Sequence, residues 1–118
     1  MRHIISAVFA TILVSMALPA HSMTGNELKT NCQNYSDSST DFRSGVCAGF
    51  ILGSLESTSI WTSIASQIPY CIPENATNGQ LIAVVRKYLD TNLEVLHQTG
   101  TTLIIDAMMN AFPCKNEQ

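Results

Sequence analysis

Four cysteines, Cys32, Cys47, Cys71 and Cys114, constrain this chain of 118 residues more than any other feature. An even set in a short exported chain reads as a disulfide framework, and four cysteines allow three connectivities. Export is itself legible at the N-terminus. Met1-Arg2-His3 carries positive charge, Ile4 to Leu18 is an uncharged run broken only by small polar residues, and Pro19-Ala20-His21-Ser22 supplies a helix break and small residues before a cut after Ser22. Cleavage after Ala20 fits the same pattern. A transmembrane anchor needs roughly 20 apolar residues, and this run is about 15 long before its proline. The expectation is a signal peptide over 1–22 and a single domain over 23–118. Once the signal is cut no membrane anchor is left, and the domain works in an oxidising compartment such as the bacterial periplasm.

Cleavage changes the arithmetic. Of 118 residues the first 22 go, leaving 96, and five Lys and Arg against nine Asp and Glu give a net charge of −4. An acidic chain without paired cysteines at zinc-finger spacing has no electrostatic footprint for nucleic acid. His3 and His21 leave with the signal, so His97 is the one histidine of the mature chain, and a site needing two imidazoles is excluded. Neither a metal nor a cofactor is expected. A chain this short buries only about 60 to 65% of its surface on folding, which makes covalent staples valuable.

The mature chain reads as helical throughout. Residues 26–34 suit a short helix, followed by a polar loop over 36–40. Ser38-Ser39-Thr40-Asp41 has the form of a capping box, and Phe42, Val46, Phe50, Ile60, Trp61 and Ile64 recur at helical spacing, predicting a long helix over about 41–66. Ile68-Pro69-Tyr70-Cys71-Ile72-Pro73 cannot be helical, because each proline lacks a donor and pushes its predecessor towards extended geometry. It predicts a stiff connector. Thr77-Asn78-Gly79-Gln80 is a second capping box, and Leu81, Ile82, Val84, Val85, Tyr88 and Leu89 form the apolar face of a helix over 78–90. Thr91-Asn92-Leu93-Glu94 repeats the signature, so Leu93, Leu96, Gly100, Leu103, Ile104, Ala107, Met108 and Ala111 mark a last helix that stops before Pro113.

The fold expected is an all-α, disulfide-stapled domain of about four helices whose last two form an antiparallel hairpin. That hairpin selects the bridges. Cys71 precedes its first helix and Cys114 follows its second, so both lie at one end, and Cys32 is left to join Cys47. In the chain-entropy model these loops contribute about 3 and about 4 kcal/mol. Within the long helix Gly45, Gly49 and Gly53 recur every four residues. Each costs about 1 kcal/mol of helix propensity relative to alanine, so a neighbouring helix packed on bare backbone is expected there.

Groups suited to catalysis are sparse. Glu94 and His97, three residues apart on a helix, could share a proton, but read as a surface or half-buried pair. No G-x-S-x-G, H-E-x-x-H, phosphate loop or paired carboxylates occur, and the cysteines are spoken for, so an enzyme is not expected. Tyr70 and Trp61, near the connector, read either as partner anchors or as core.

The run Cys47-Ala48-Gly49-Phe50-Ile51-Leu52-Gly53 is followed by Cys71-Ile72-Pro73, Thr77, Gln80-Leu81, Val84-Val85, Tyr88-Leu89, Glu94 and His97, then by Ala107 and Ala111-Phe112-Pro113-Cys114. Together these resemble the periplasmic resistance-associated immunity proteins of type VI secretion, over roughly residues 45–114. The chain departs from that pattern at Phe50, where tyrosine is usual, at Leu93, often proline, and at Gly100, a small residue such as alanine. The resemblance implies a helical protein, often a homodimer, that binds an effector amidase with a Cys-His active site and blocks its cleft, sparing the producing cell's peptidoglycan. For the contact surface the expectation is the connector from Tyr70 to Asn78, with Glu74 and Asn75 at its centre. The exposed side of the next helix, with Arg86, Lys87 and Asp90, extends it. A loop pinned by two prolines and a disulfide loses little entropy on insertion into a cleft. The alternative from another class is a periplasmic acid-stress chaperone, which exposes apolar surface when its carboxylates are protonated.

Overall fold

The computed structural model describes residues 21–65 and 69–115, with the side chains of 62–65 excepted. The signal segment lies outside the described residues except for His21 and Ser22, as do Ile68 and the side chain of Ile64. Four α-helices and one short 3₁₀ turn make up the described chain: α1 Gly25–Cys32, α2 Phe42–Ala65, α3 Asn78–Thr91, the turn Leu93–Val95, and α4 Gly100–Ala111. The all-α expectation holds.

Both bridges join the expected partners, Cys32 with Cys47 and Cys71 with Cys114. Helices α3 and α4 pack together. The Cys71 amide donates to the Phe112 carbonyl at 2.8 Å, which sets the approach to α3 beside the end of α4 and makes the pair antiparallel. The core between the helices is Leu28 of α1, Ile51 of α2, Ile82, Val85 and Leu89 of α3, and Leu103, Ile104 and Met108 of α4.

The helix starts show which local signals won. Thr77 and Gln80 form the predicted box at α3, the Gln80 carboxamide oxygen accepting from the Thr77 amide at 2.8 Å. Helix α1 begins a residue before its predicted start, because Thr24 and Glu27 make a box of their own. At α2 the expected box over Ser38–Asp41 does not form. Ser36 and Ser39 hydrogen-bond each other, and Asp41 caps the helix, its Oδ1 accepting from the Ser44 amide at 3.1 Å.

Three further expectations are corrected. The last helix does not run from Leu93. Continuing it upstream of Gly100 would require Leu96 and Gln98 to keep their carbonyls for the helix. The amides of Asn26 and Gly25 take them instead, at 3.0 and 2.9 Å, while the Gly100 amide donates to the Met23 carbonyl at 2.7 Å. Thr24 and Thr99 thus form an isolated antiparallel bridge, and Thr99 caps α4. Leu93 is consequently exposed, and His97 lies beyond the 3₁₀ turn that holds Glu94, not on a helix with it.

The second correction concerns the inward face of α2. Phe42, Ile60 and Trp61, whose spacing marked the helix, are exposed, Phe42 to 85% and Trp61 to 71%, so of the two readings of Trp61 the core one does not hold. Ser44, Cys47, Ile51 and Leu55 point inward instead. Apolar residues surround this helix, so periodicity alone leaves its orientation open; the Cys47 bridge to α1 selects the face.

The third follows from the second. Gly45, Gly49 and Gly53 lie on the outer face, and a Cβ added to any of them would meet nothing within 4 Å. Within the described chain no helix packs on that stripe. Backbone approaches closely elsewhere, at Gly25 and Gly100.

Candidate functional site

The connector over residues 69–77 is short, extended and held at both ends. Tyr70 is buried to 6% exposure, and this burial raises its phenol pKa above the ordinary value, a hydrogen bond with Thr58 partly opposing the shift. Its neighbour Cys71 is tied to Phe112 through the backbone and to Cys114 through sulfur. Ile72 packs partly against the core. A turn then closes from the Ala76 amide to the Pro73 carbonyl at 3.0 Å, and the capping box of Thr77 follows at once. Two prolines fix φ and remove donors. The result is a rigid tip that turns Pro73, Glu74, Asn75 and Asn78 to solvent.

The expected surface residues therefore divide. Glu74, Asn75 and Asn78 share the exposed tip and the first turn of α3. Tyr70 is not on the surface; it anchors the tip from within. Arg86 is half-buried and donates to the carbonyls of Tyr35 and Gln33 at 3.1 and 3.3 Å, strapping the α1–α2 loop to α3. Asp90 pairs with Lys29 of α1. Lys87 is exposed on another side of α3, beside the shallow groove that Val84, Tyr88 and Ala107 line with it. There burial, reinforced by Asp106 and Glu94, holds the Tyr88 phenol above its ordinary pKa.

Two open grooves flank the C-terminal half of α2. One, of about 470 Å³, lies against the connector, lined by Leu55, Glu56, Ser59, Tyr70, Cys71, Ile72 and Leu81. The other, of about 530 Å³, follows the glycine stripe on the opposite side, lined by Gly49, Phe50, Gly53, Ser57, Trp61 and Thr101 among others. The second was not anticipated as a surface. Its sequence signal was present all the same: with Cys47 fixed inward, residues 44, 51 and 55 follow it to the core at helical spacing, which sends 42, 45, 49, 53 and 60 outward.

Among the described residues no group of three or more His, Cys, Asp or Glu is placed to hold a metal ion. No helix of the described chain is long and apolar enough to cross a membrane.

Neither a curated protein nor a solved structure matches this chain. A family model does, that of the Rap1a immunity proteins, over residues 24–114. The match begins at the residue that caps α1 and ends at the cysteine that closes the second bridge, so it takes in all four helices and both disulfides. The chain belongs to the Rap1a immunity protein family.

Proposed function

We propose that this chain is a periplasmic immunity protein that binds a cognate type VI secretion peptidoglycan amidase and occludes its active-site cleft. It thereby spares the producing cell and its sisters. Family membership supports the class of function, neutralisation of a secreted effector by binding. The observation that carries occlusion is the connector: a tip immobilised by buried Tyr70, a disulfide and a capping box, displaying Glu74 and Asn75. Such a tip enters a cleft with its ordering already complete.

In this reading Glu74, Asn75 and Asn78 make the contacts and Lys87 borders them. Arg86 and Asp90 keep α3 in place beneath, and the chain supplies no catalytic group of its own. Residues 1–22 direct export, and the two bridges suit the oxidising compartment that export reaches. The chain acts as a homodimer, the second copy covering the outer face of α2. An open glycine stripe with the exposed side chains of Phe42 at one end and of Ile60 and Trp61 at the other supports this, since large apolar side chains held out beside bare backbone favour close packing of a second helix.

The test is direct. The mature chain is titrated into a purified amidase whose gene neighbours its own, and peptidoglycan hydrolysis is followed. Loss of hydrolysis at equimolar protein is expected. Full amidase activity in excess of the chain rejects the reading.

A further inference from the structure

The two disulfides differ in a way their spacing does not reveal. Cys32 and Cys47 are 2% and 0% exposed, sealed between α1 and α2, whereas Cys71 and Cys114 are both exposed. Thiol–disulfide exchange requires an attacking thiolate to reach a sulfur, so access separates the rates at which two bridges open. Reaching the first requires α1 to leave α2. Reaching the second requires no helix to leave another, because both of its cysteines are exposed and Cys114 lies beyond the end of α4.

We propose that Cys32–Cys47 is a permanent staple and that Cys71–Cys114 is a redox-operated catch setting the conformation of the connector. A dithiol reductant opens it. One reductant thiolate attacks a sulfur of the bridge, forming a mixed disulfide and expelling the other cysteine as a thiolate. The second reductant thiol then displaces the mixed disulfide, so that the reductant leaves as its own disulfide and Cys71 and Cys114 become two thiols. An oxidant carrying a disulfide reverses both steps.

What the catch holds is visible in the remaining contacts. With the bridge open, Tyr70 stays buried at one end and the Thr77–Gln80 box stays formed at the other. Between them the Cys71–Phe112 hydrogen bond, the partial packing of Ile72 and Ala76 and one turn hydrogen bond still restrain the tip. The fold survives while the segment carrying Glu74 and Asn75 gains freedom. If that segment fills an amidase cleft, an inference that rests on the function proposed above, the open catch binds more weakly, because ordering must then be supplied on binding.

The experiment begins with the mature chain alone. It is exposed under native conditions to graded dithiothreitol, quenched with iodoacetamide and mapped by mass spectrometry. Cys71 and Cys114 are expected to alkylate at reductant concentrations at least about tenfold below those needed for Cys32 and Cys47, with helical circular dichroism retained. Simultaneous opening of both bridges, or earlier opening of Cys32–Cys47, overturns the proposal. Hydrogen exchange is then compared between the native chain and two open forms, the selectively alkylated chain and the Cys71→Ser/Cys114→Ser variant. Faster exchange confined to amides 71–76 supports the catch, and unchanged exchange there rejects it whatever the partner. In an amidase inhibition assay the open forms should be at least about tenfold weaker than the native chain. A native chain that fails to inhibit counts against the proposed function alone; equal inhibition by native and open forms counts against the catch.

Discussion

Gly25 lies directly on the backbone of Leu96: a Cβ at position 25 would stand 2.9 Å from the Leu96 carbonyl oxygen and 3.0 Å from its Cα, and would run into the Leu103 side chain as well. The close approach lets the Gly25 amide reach the Gln98 carbonyl and the Asn26 amide reach that of Leu96, so the start of α1 takes its partners from the α3–α4 link. Gly25→Ala should therefore destabilise the fold by at least about 1–3 kcal/mol, the usual cost of forcing atoms into filled space, because the obstacle is backbone and cannot rotate away. Gly49→Ala is the control. Nothing lies within 4 Å of its Cβ position, so alanine should gain up to about 1 kcal/mol of helix propensity. Thermal melts of both variants check the opposite signs, and equal effects would show that the contact is unimportant.

Arg86, expected at the partner surface, instead donates across 51 positions to the Tyr35 carbonyl and also to that of Gln33, at the C-terminal end of α1. Its planar fork suits two carbonyls at once, and a lysine ammonium offers no such fork. Arg86→Ala should lower stability by about 1–2 kcal/mol, with Arg86→Lys recovering less than half. Denaturant midpoints measure this. Amidase binding by the folded variants should stay unchanged, and a large loss of affinity at full stability would return Arg86 to the contact surface.

Acid should weaken the starts of two helices. Hydrogen bonds from the Thr24 amide and hydroxyl hold the Glu27 carboxyl below its ordinary pKa, and Ser44 does the same for Asp41. A carboxyl depressed in the folded chain contributes stability above its unfolded pKa and loses it as pH falls through the folded value. Stability should thus decline from about pH 5 downwards, and Glu27→Gln should flatten the decline. Melting temperatures between about pH 6 and pH 2 test this, and an unaltered slope in the variant would exclude Glu27 as a contributor.

How much of this was legible in the sequence depended on where each determining contact lies along the chain. The Thr77–Gln80 box and the apolar face from Leu81 to Leu89 are local, and α3 was read within a residue of its limits. Both bridges followed from hairpin topology, since Cys71 and Cys114 flank it. The long helix was found but turned the wrong way, because apolar residues on every side of α2 hide its inward face. The last helix was drawn too long because its start is decided by Met23, Gly25 and Asn26, over seventy positions upstream of Gly100. For the site, the stiff connector was legible from its prolines. That Tyr70 anchors it from inside, and that Arg86 and Asp90 face α1 across pairs 53 and 61 positions apart, was not.

The outer face of α2 offers a test of self-association. Gly49→Arg places a long charged side chain in the middle of the stripe between Phe42 and Ile60, at a position whose Cβ would meet nothing within 4 Å. If a second copy covers this face, light scattering should find a dimer for the parent chain and a monomer for the variant. Circular dichroism should be the same for both. A dimer that persists in Gly49→Arg would move the interface elsewhere.

At the connector, Glu74→Lys, Asn75→Ala and Asn78→Ala alter exposed side chains while leaving Tyr70, the Cys71–Cys114 bridge and the Thr77–Gln80 pair in place. Stability should therefore change by less than about 0.5 kcal/mol. Where such side chains enter an enzyme cleft, the loss of even one good contact weakens binding by about tenfold or more, and charge reversal adds repulsion if the cleft presents a basic group to Glu74. Titration calorimetry against the amidase should show Glu74→Lys as the weakest binder of the three. Because the tip is held rigid in the free chain, the loss should fall on the dissociation rate more than on association. Affinities at the parental value in all three variants would remove the connector from the interface and direct attention to the grooves beside α2.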